Sequence, residues 1–454
     1  MDSIKGSQKR RAGVLLLTIL FGVGLAWLGL PGMARGDVKE DWVRRYHGQA
    51  GSFNSPRAQA IDSHGNVYVT GFTTEPFIIS RWVTIKYGPS GRKIWLRRYT
   101  GPNLSNNAEA IAVDGQGNVY VTGQSRSDLG NWTTIKYNSD GGLLWESSYV
   151  WTAGGNTGFP RAMVVDPGGN VYITGDVSGV CTTIKYGSDG KLLWESRHPS
   201  DLSYGSGYAS GIVLDDRGNV YITGTIWDTF ATIKYSPDGN KLWVRYSEIP
   251  SVYSDSRGIV LDNRSNVYIT GTYWGRKGTK FNFATIKYDS AGKQLWVRRY
   301  NGPANGNDIA DAIAVDGRGN VYVAGSSATS TIEYPDYDFV IIKYSSNGQC
   351  LWIRRYNVPN PWPIRWKDKS MVLDSQGNVY VTGTGGYGAL YATLKCSPAG
   401  ELLWLSGYQA GGGPRAIGVD RQNNVYVTGN DNNFDVSNFL TIKYKQSPRI
   451  WRQD

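Results

Sequence analysis

The sequence predicts an all-β protein, an eight-bladed β-propeller of four-stranded antiparallel blades, and three observations predict it. First, a six-residue phrase recurs. Asn-Val-Tyr-Val-Thr-Gly stands at Asn66–Gly71, Asn118–Gly123, Asn378–Gly383 and Asn424–Gly429. With Ile for the second Val it stands at Asn170–Gly175, Asn219–Gly224 and Asn266–Gly271, and with Ala for Thr at Asn320–Gly325. The steps between copies are 52, 52, 49, 47, 54, 58 and 46 residues, a period that marks a propeller or array of supersecondary units. Second, 30 Tyr, 17 Trp and 58 Gly against 4 Met in 454 residues suit short strands joined by tight turns. Third, Asp41-Trp-Val-Arg-Arg-Tyr46 matches Trp296-Val-Arg-Arg-Tyr300 but lies ahead of the first complete unit. A strand out of phase at the N-terminus is what ring closure requires. Seven blades is the alternative count.

The chain opens on a targeting segment. Lys5, Lys9, Arg10 and Arg11 precede an uncharged run from Ala12 to Ala34 that ends in small residues. This is the three-part layout of a secretory signal. The run is also long enough to span a bilayer, so an uncleaved anchor is the rival reading. Residues 1–34 are therefore expected to be a signal peptide or anchor, residues 35–39 a linker, and residues 40–454 one propeller domain. The formal charge is +11. Loss of residues 1–34 removes those four cations and Asp2, which leaves +8, a mildly basic surface suited to anionic polymers but no signature of specific nucleic-acid binding. The expected location is the periplasm, the cell surface or the medium, with membrane contact only through an uncleaved N-terminal segment, and the expected state is a monomer. Cys181, Cys350 and Cys396 are odd in number and lack metal-ligand spacing, so a disulfide framework is not expected.

Residues Glu109 to Tyr149 show one unit strand by strand. Ala110-Ile-Ala-Val-Asp114 is a short apolar run, and Gly115-Gln-Gly-Asn118 turns the chain, with Gly supplying positive φ. Val119 and Val121 then alternate with Tyr120 and Thr122 on the second strand. After a variable loop, Trp132-Thr-Thr-Ile-Lys-Tyr137 is the third strand, and Leu143-Leu-Trp-Glu-Ser-Ser-Tyr149 the fourth, across an Asp-Gly turn. Fourth strands elsewhere carry Trp95, Trp194, Trp243, Trp296, Trp352 and Trp404, each expected to wedge between adjacent blades, because a buried indole offers large apolar area and one N–H donor. The third-strand lysines, from Lys86 to Lys443, are expected to pair with the turn aspartates, from Asp62 to Asp420. The last unit reaches its third strand at Tyr444 and then has only Arg449-Ile-Trp451. Trp42–Tyr46 is expected to complete that blade, with Trp451 filling the slot as the alternative. Closure removes exposed sheet edges.

The phrase Val-Asp-x-x-Gly-Asn-Val-Tyr-Val-Thr-Gly, followed by Thr-Ile-Lys-Tyr and Gly-x-x-Leu-Trp, resembles the SBBP family of bacterial β-propeller repeats across nearly all of residues 40–454. The resemblance implies an extracytoplasmic propeller and brings no defined activity. A weaker resemblance is to quinoprotein-type eight-bladed propellers: Tyr288-Asp-Ser-Ala-Gly-Lys-Gln-Leu-Trp296 looks like their tryptophan-docking motif. It implies eightfold geometry. It carries over no quinone site, because no adjacent Cys pair occurs, and no cofactor is expected.

Blade connectivity sorts the loops. Turns after first and third strands share one face and are short and uniform. Connections after second and fourth strands share the other face and vary, and variable loops on a rigid scaffold are where binding lives. They carry Trp274, Tyr334, Tyr337, Trp362, Arg365 and Trp366, aromatic and cationic groups able to stack on sugar rings or peptide side chains. A second candidate is the ring five residues before each turn Asp: Arg57, Glu109, Arg161, Ser210, Arg257, Asp311, Lys369 and Arg415. It is expected at the starts of the innermost strands, near the channel mouth. Five of the eight are basic, so the ring can hold an anionic group or close on itself as ion pairs.

Catalytic constellations are scarce. Only His47, His64 and His198 occur, too scattered for a metal cluster or an evident base, and no metal site is expected. Gly383-Thr-Gly-Gly-Tyr-Gly388 fits a dinucleotide pattern without the helix that pattern needs. The resulting expectation is an exported binding module that recognises a protein or carbohydrate ligand through its variable-loop face. The alternatives are a lyase or hydrolase using Glu109 and Asp311 at the channel mouth, and a structural assembly scaffold.

Overall fold

A computed structural model describes residues 38–74, 79–101, 106–125, 131–150, 158–199, 207–249, 251–275, 280–332, 335–357, 370–385, 390–433 and 436–446. These residues form eight four-stranded antiparallel sheets and, among them, no helix. Blade 1 is Phe53–Ile61, Val67–Thr74, Ser80–Tyr87 and Lys93–Tyr99. The next six blades repeat this order along the chain, and first strands of successive blades neighbour one another around the ring. Blade 8 takes three strands from the C-terminal region, Pro414–Val419, Val425–Asn433 and Val436–Gln446, and its fourth from the N-terminal strand Val38–Tyr46. The pairing runs from Val38 opposite Gln446 to Tyr46 opposite Phe439. Trp42 thus occupies the closing slot; Trp451 lies outside the described residues, as do residues 1–37, where a targeting segment is expected.

The core sits between blades rather than within them. Trp296, Tyr300, Phe283 and Tyr268 of blade 5 pack against Val321, Val323, Val340 and Ile342 of blade 6. Trp42 and Tyr426 pack in the same way against Val67, Val83 and Ile85 across the closing seam. A β-sheet with two apolar faces can bury both only when stacked, so each blade depends on its neighbours.

The turn aspartates serve their own blade. In blade 1, Asp62 Oδ1 accepts the amides of His64 and Asn66, while Oδ2 accepts Asn66 Nδ2 at 2.7 Å and the Tyr68 hydroxyl at 2.9 Å. These bonds hold the Asp62 carboxyl below its ordinary range although burial opposes them. The tyrosine of every other phrase copy donates to its turn aspartate likewise.

The third-strand lysines differ from expectation. They reach across to the next blade, where Lys and the fourth-strand Trp donate together to one main-chain carbonyl of the third-to-fourth turn. Lys86 and Trp95 share Ser139 O, Lys136 and Trp145 share Ser188 O, and Lys185 and Trp194 share Pro237 O. Ser290 O, Ser346 O and Pro398 O serve the following pairs, and Lys443 with Trp42 share Pro89 O. The reason is that the aspartate oxygens are already taken, whereas the turn carbonyl is an orphan acceptor beside the indole. Lys395 alone of these is seen reaching its turn aspartate, Asp374, at 3.8 Å. In six of these seven turns a positive-φ glycine lies against the incoming indole, and at Gly141 it lies against Arg97: a Cβ on Gly292 (φ +85) would fall 2.9 Å from Trp243 Cδ2.

Candidate functional site

The innermost strands carry a bulge, and the bulge places the predicted ring. In blade 1 the register slips between Pro56 and Ala58, which leaves Arg57 as the extra residue. The same slip leaves Glu109, Arg161, Ser210, Arg257, Asp311 and Arg415. All but Arg415, the second residue of its strand, stand well within their strands rather than at their starts, so they form a belt along the channel wall. A bulge frees the extra side chain from the ladder and re-aims it. Lys369 lies outside the described residues. The sequence signal for the bulge is the Gly that ends each phrase: a Cβ on Gly71 would lie 2.1 Å from Ser55 O of the bulged strand, and a Gly within a strand marks such a close backbone approach.

The belt is partly neutralised from within. Arg57 Nε lies 3.7 Å from Glu109 Oε2, Arg161 Nε 2.9 Å from Asp176 Oδ1, and Arg257 Nε 2.6 Å from Asp255 Oδ2. Burial raises the Glu109 carboxyl, with Arg57, Arg161 and Arg415 pulling it back. Burial and the nearby Arg57 push Arg415 down to about 10 while Glu109 supports its charge. These four residues come from blades 8, 1, 2 and 3 and share one side of the channel. Arg257 faces Asp255 and Asp311 on the other side. Glu109 and Asp311 belong to blades 2 and 6, opposite places in a ring of eight. The structure therefore does not bring them together as a carboxylate pair. Toward the short-turn face the wall becomes apolar, around an opening of about 430 Å³ bordered by Val213, Leu214, Val260, Leu261, Val315 and Leu373. Among the described residues no cluster of His, Cys, Asp or Glu is arranged to hold a metal ion.

On the variable-loop face, Trp274 is the last residue but one of the second strand of blade 5 and is 41% exposed. Tyr337, expected among the exposed aromatics, is 4% exposed. It begins the third strand of blade 6 opposite Ala328 and packs on it, so it caps the blade. Tyr334, Trp362, Arg365 and Trp366 lie outside the described residues. Four exposed aromatics had no place in the sequence reading: Phe53 and Phe159 at the starts of the first strands of blades 1 and 3, Tyr253, 39% exposed on the first strand of blade 5, and Trp227, 48% exposed between the second and third strands of blade 4. The signal for Trp227 was the pair Trp227-Asp228, the one polar break between Ile226 and the apolar third strand.

Three comparisons bear on identity. The model of the SBBP family, described as a beta-propeller repeat, matches residues 94–130 and 295–330. No curated protein is detectably similar to the chain. Among solved structures, a protein from Lactobacillus plantarum is 14% identical and aligns over 76% of this chain and 99% of its own with a TM-score of 0.48. The WD40 domain of SCAP from fission yeast is 9% identical over 90% of this chain and 98% of its own, with a TM-score of 0.46. A protein of unknown function from Bacteroides caccae is 10% identical over 60% and 89%, with a TM-score of 0.34. At these scores none informs the site. The two matched segments each run from a fourth strand, through the next blade's first strand and Asp-x-x-Gly-Asn turn, into its second strand: two stretches of the chain match the SBBP beta-propeller repeat, in the register that the other blades share.

Proposed function

We propose that this protein is an exported binding module that recognises a protein or polysaccharide through its variable-loop face. The observation that carries the reading is the contrast between the two faces. On the short-turn face the polar groups are committed to the fold: aspartates to Asn and Tyr of their own blade, turn carbonyls to Lys and Trp of the neighbour. On the variable-loop face, Trp227, Tyr253 and Trp274 stay exposed on a rigid frame. Exposed aromatics held by rigid strands bind at low entropic cost. The N-terminal basic and apolar segment supports export, and SBBP repeats suit an interaction or scaffold role.

The test is capture by the full chain on a glycan array and from envelope and culture-medium proteins, compared with two variants. Trp274→Ala should lose the captured ligand, and Gln116→Ala, on an exposed short turn, should keep it. A ligand that is lost with Gln116→Ala and kept with Trp274→Ala overturns the assignment of the face. Cell fractionation that finds the chain wholly in the cytoplasm overturns export.

A further inference from the structure

The second and third strands are joined by a two-residue hairpin whose residues are described in blades 3 and 4. Blade 3 uses Ser178 (φ +53) and Gly179 (φ +75), a pair suited to positive φ. Blade 4 uses Trp227 (φ +51) and Asp228 (φ +56) at the equivalent places. This turn type favours Asn-Gly or Gly because both central residues are left-handed, and a bulky side chain there is strained. Strain of this kind persists where surrounding structure fixes it and where function uses it. Here the surroundings do fix it. The Trp227 ring lies 5.5 Å from Tyr246 at 33°, and the Tyr246 hydroxyl is 2.6 Å from His198 Nε2 of blade 3. The indole is seated on a braced aromatic and still shows nearly half its surface to solvent.

A second aromatic row adjoins it. Tyr253, Trp274 and Phe281 are register partners across three strands of blade 5. Trp274 lies 5.0 Å and Tyr253 6.1 Å from the Phe281 ring, and Ser251 Oγ donates to the Trp274 carbonyl at 2.8 Å. Tyr208, opposite Thr225 just before the hairpin, donates from its hydroxyl to Asp255 Oδ1 at 2.7 Å, two residues after Tyr253, and the third strand of blade 4 packs against the first strand of blade 5, which places the blade 4 hairpin beside the blade 5 row. Asp255 is taken by Arg257 and by the Tyr208 hydroxyl, which leaves Asp228 as an exposed acceptor beside the rings. Exposed rings with a hydrogen-bond acceptor at their edge suit the C–H face and hydroxyls of a sugar, and a carboxylate acceptor favours a neutral sugar over an acidic one.

We propose that Trp227, Tyr253 and Trp274 form a platform over blades 4 and 5 that binds a neutral polysaccharide, with the two indoles stacking on its pyranose rings and Asp228 accepting from a sugar hydroxyl. The proposal rests on the reading of the variable-loop face as the binding face and names the ligand class.

Affinity electrophoresis of the full chain through gels containing hydroxyethylcellulose, galactomannan or mixed-linkage β-glucan tests it, with polygalacturonate and gelatin as anionic and polypeptide comparisons. Retardation is expected in at least one neutral gel. Trp227→Ala and Trp274→Ala should each weaken it by about two- to tenfold, the usual range for one aromatic stacking contact. Replacing Trp227-Asp228 by Asn-Gly relieves the turn, so this variant should melt no lower than the parent and still lose retardation. That separates a binding role from a folding role. Unchanged mobility in every neutral gel overturns the proposal, as does retardation that survives both Trp replacements or the Asn-Gly turn. If the neutral gels are silent while a protein ligand is captured and lost with Trp274→Ala, the binding face stands and the polysaccharide assignment falls.

Discussion

The seam between blades 7 and 8 differs from the other seven in one respect that can be tested by a single substitution. Elsewhere Lys and Trp share a main-chain carbonyl, which no side-chain change can delete. Blade 8 has no third-to-fourth turn, because its fourth strand comes from the other end of the chain. In place of the missing carbonyl, Gln446 Oε1 accepts from Lys395 Nζ at 2.7 Å and from Trp404 Nε1 at 3.4 Å. Its Nε2 donates to the Tyr380 hydroxyl at 3.2 Å and to the Asn423 carbonyl. Gln446→Ala removes an acceptor from a cation, which costs about 1.5–3 kcal/mol, and leaves a largely buried indole N–H unpaired, about 1 kcal/mol more. Lys395 keeps Asp374 at 3.8 Å and the Tyr380 ring, so about 3 kcal/mol in total is expected. For a propeller of about 400 residues the unfolding entropy is on the order of 0.8 kcal/mol per degree, so the melting temperature should fall by about 4 °C. Gln446→Glu keeps the acceptor but sets a carboxylate against the Asn423 carbonyl, and should fall between the two. Differential scanning calorimetry gives the shift, and hydrogen exchange should show lost protection in Leu390–Cys396 and Leu402–Gln409 before Phe281–Tyr288. A melting temperature within a degree of the parent, with exchange unchanged at that seam, would refute the claim that a side chain stands in for the turn.

Three further outcomes are expected. Trp296→Ala removes an indole packed 6.0 Å from Tyr268 and 6.1 Å from Tyr344 and should cost about 3–5 kcal/mol, whereas exposed Trp274→Ala should stay within about 0.5 kcal/mol; guanidinium titration compares them, and equal losses would contradict the blade-interface role. Of the three thiols, exposed Cys350 should react with Ellman's reagent in the native protein, while buried Cys181, its thiol pushed up to about 12, and buried Cys396, pushed up to about 11, should react only on unfolding. Glu109 titrates above its ordinary value when folded, so it contributes stability that is full below that ordinary value and is lost as pH rises through the folded one. The stability of the parent relative to Glu109→Gln should therefore decline from weakly acidic toward neutral pH, and a rise in denaturation midpoints across that range would reverse the assigned sign.

What could be read from the chain was whatever repetition repeats. Eight phrases, the Trp of each fourth strand and the out-of-phase Trp42 specify blade count, strand order and closure, because each is a local pattern with one geometric solution. The lysines misled, since opposite charges near one rim suggest pairing. Nothing in the spacing of Lys86 and Asp62 shows that Asn66 and Tyr68 already satisfy the aspartate. The bulge was written in Gly71 and its copies, although a strand-ending Gly reads equally well as the start of a loop. Trp227 escaped because Ile226-Trp-Asp-Thr229 lacks the Gly or Asn that marks a tight turn; only the backbone reveals that the turn forms regardless. Exposure of Tyr337 or Trp274 depends on what the neighbouring loop does, and single residues carry no such information.

The ring also explains why its two faces can follow different rules. A substitution at a turn glycine or a turn aspartate on the short-turn face disturbs an interblade contact that is shared by neighbours, so its cost spreads around the wheel. The loops after second and fourth strands join strands already fixed by their ladders; some of their residues, such as Ile249 and Ala410, are buried in a seam, while others, such as Asp228, are exposed and can change without touching one. The belt inside the channel sits between these cases: its side chains come from a bulge that every described full first strand repeats, yet their identities vary from Arg to Glu to Ser. Close pairing of Arg57 with Glu109, Arg161 with Asp176 and Arg257 with Asp255 then damps any field the belt could project. On the binding role proposed above, recognition falls to groups that are exposed, rigid and different from blade to blade, and in the described residues that combination is strongest where a strained Trp-Asp turn meets the aromatic row of the next blade.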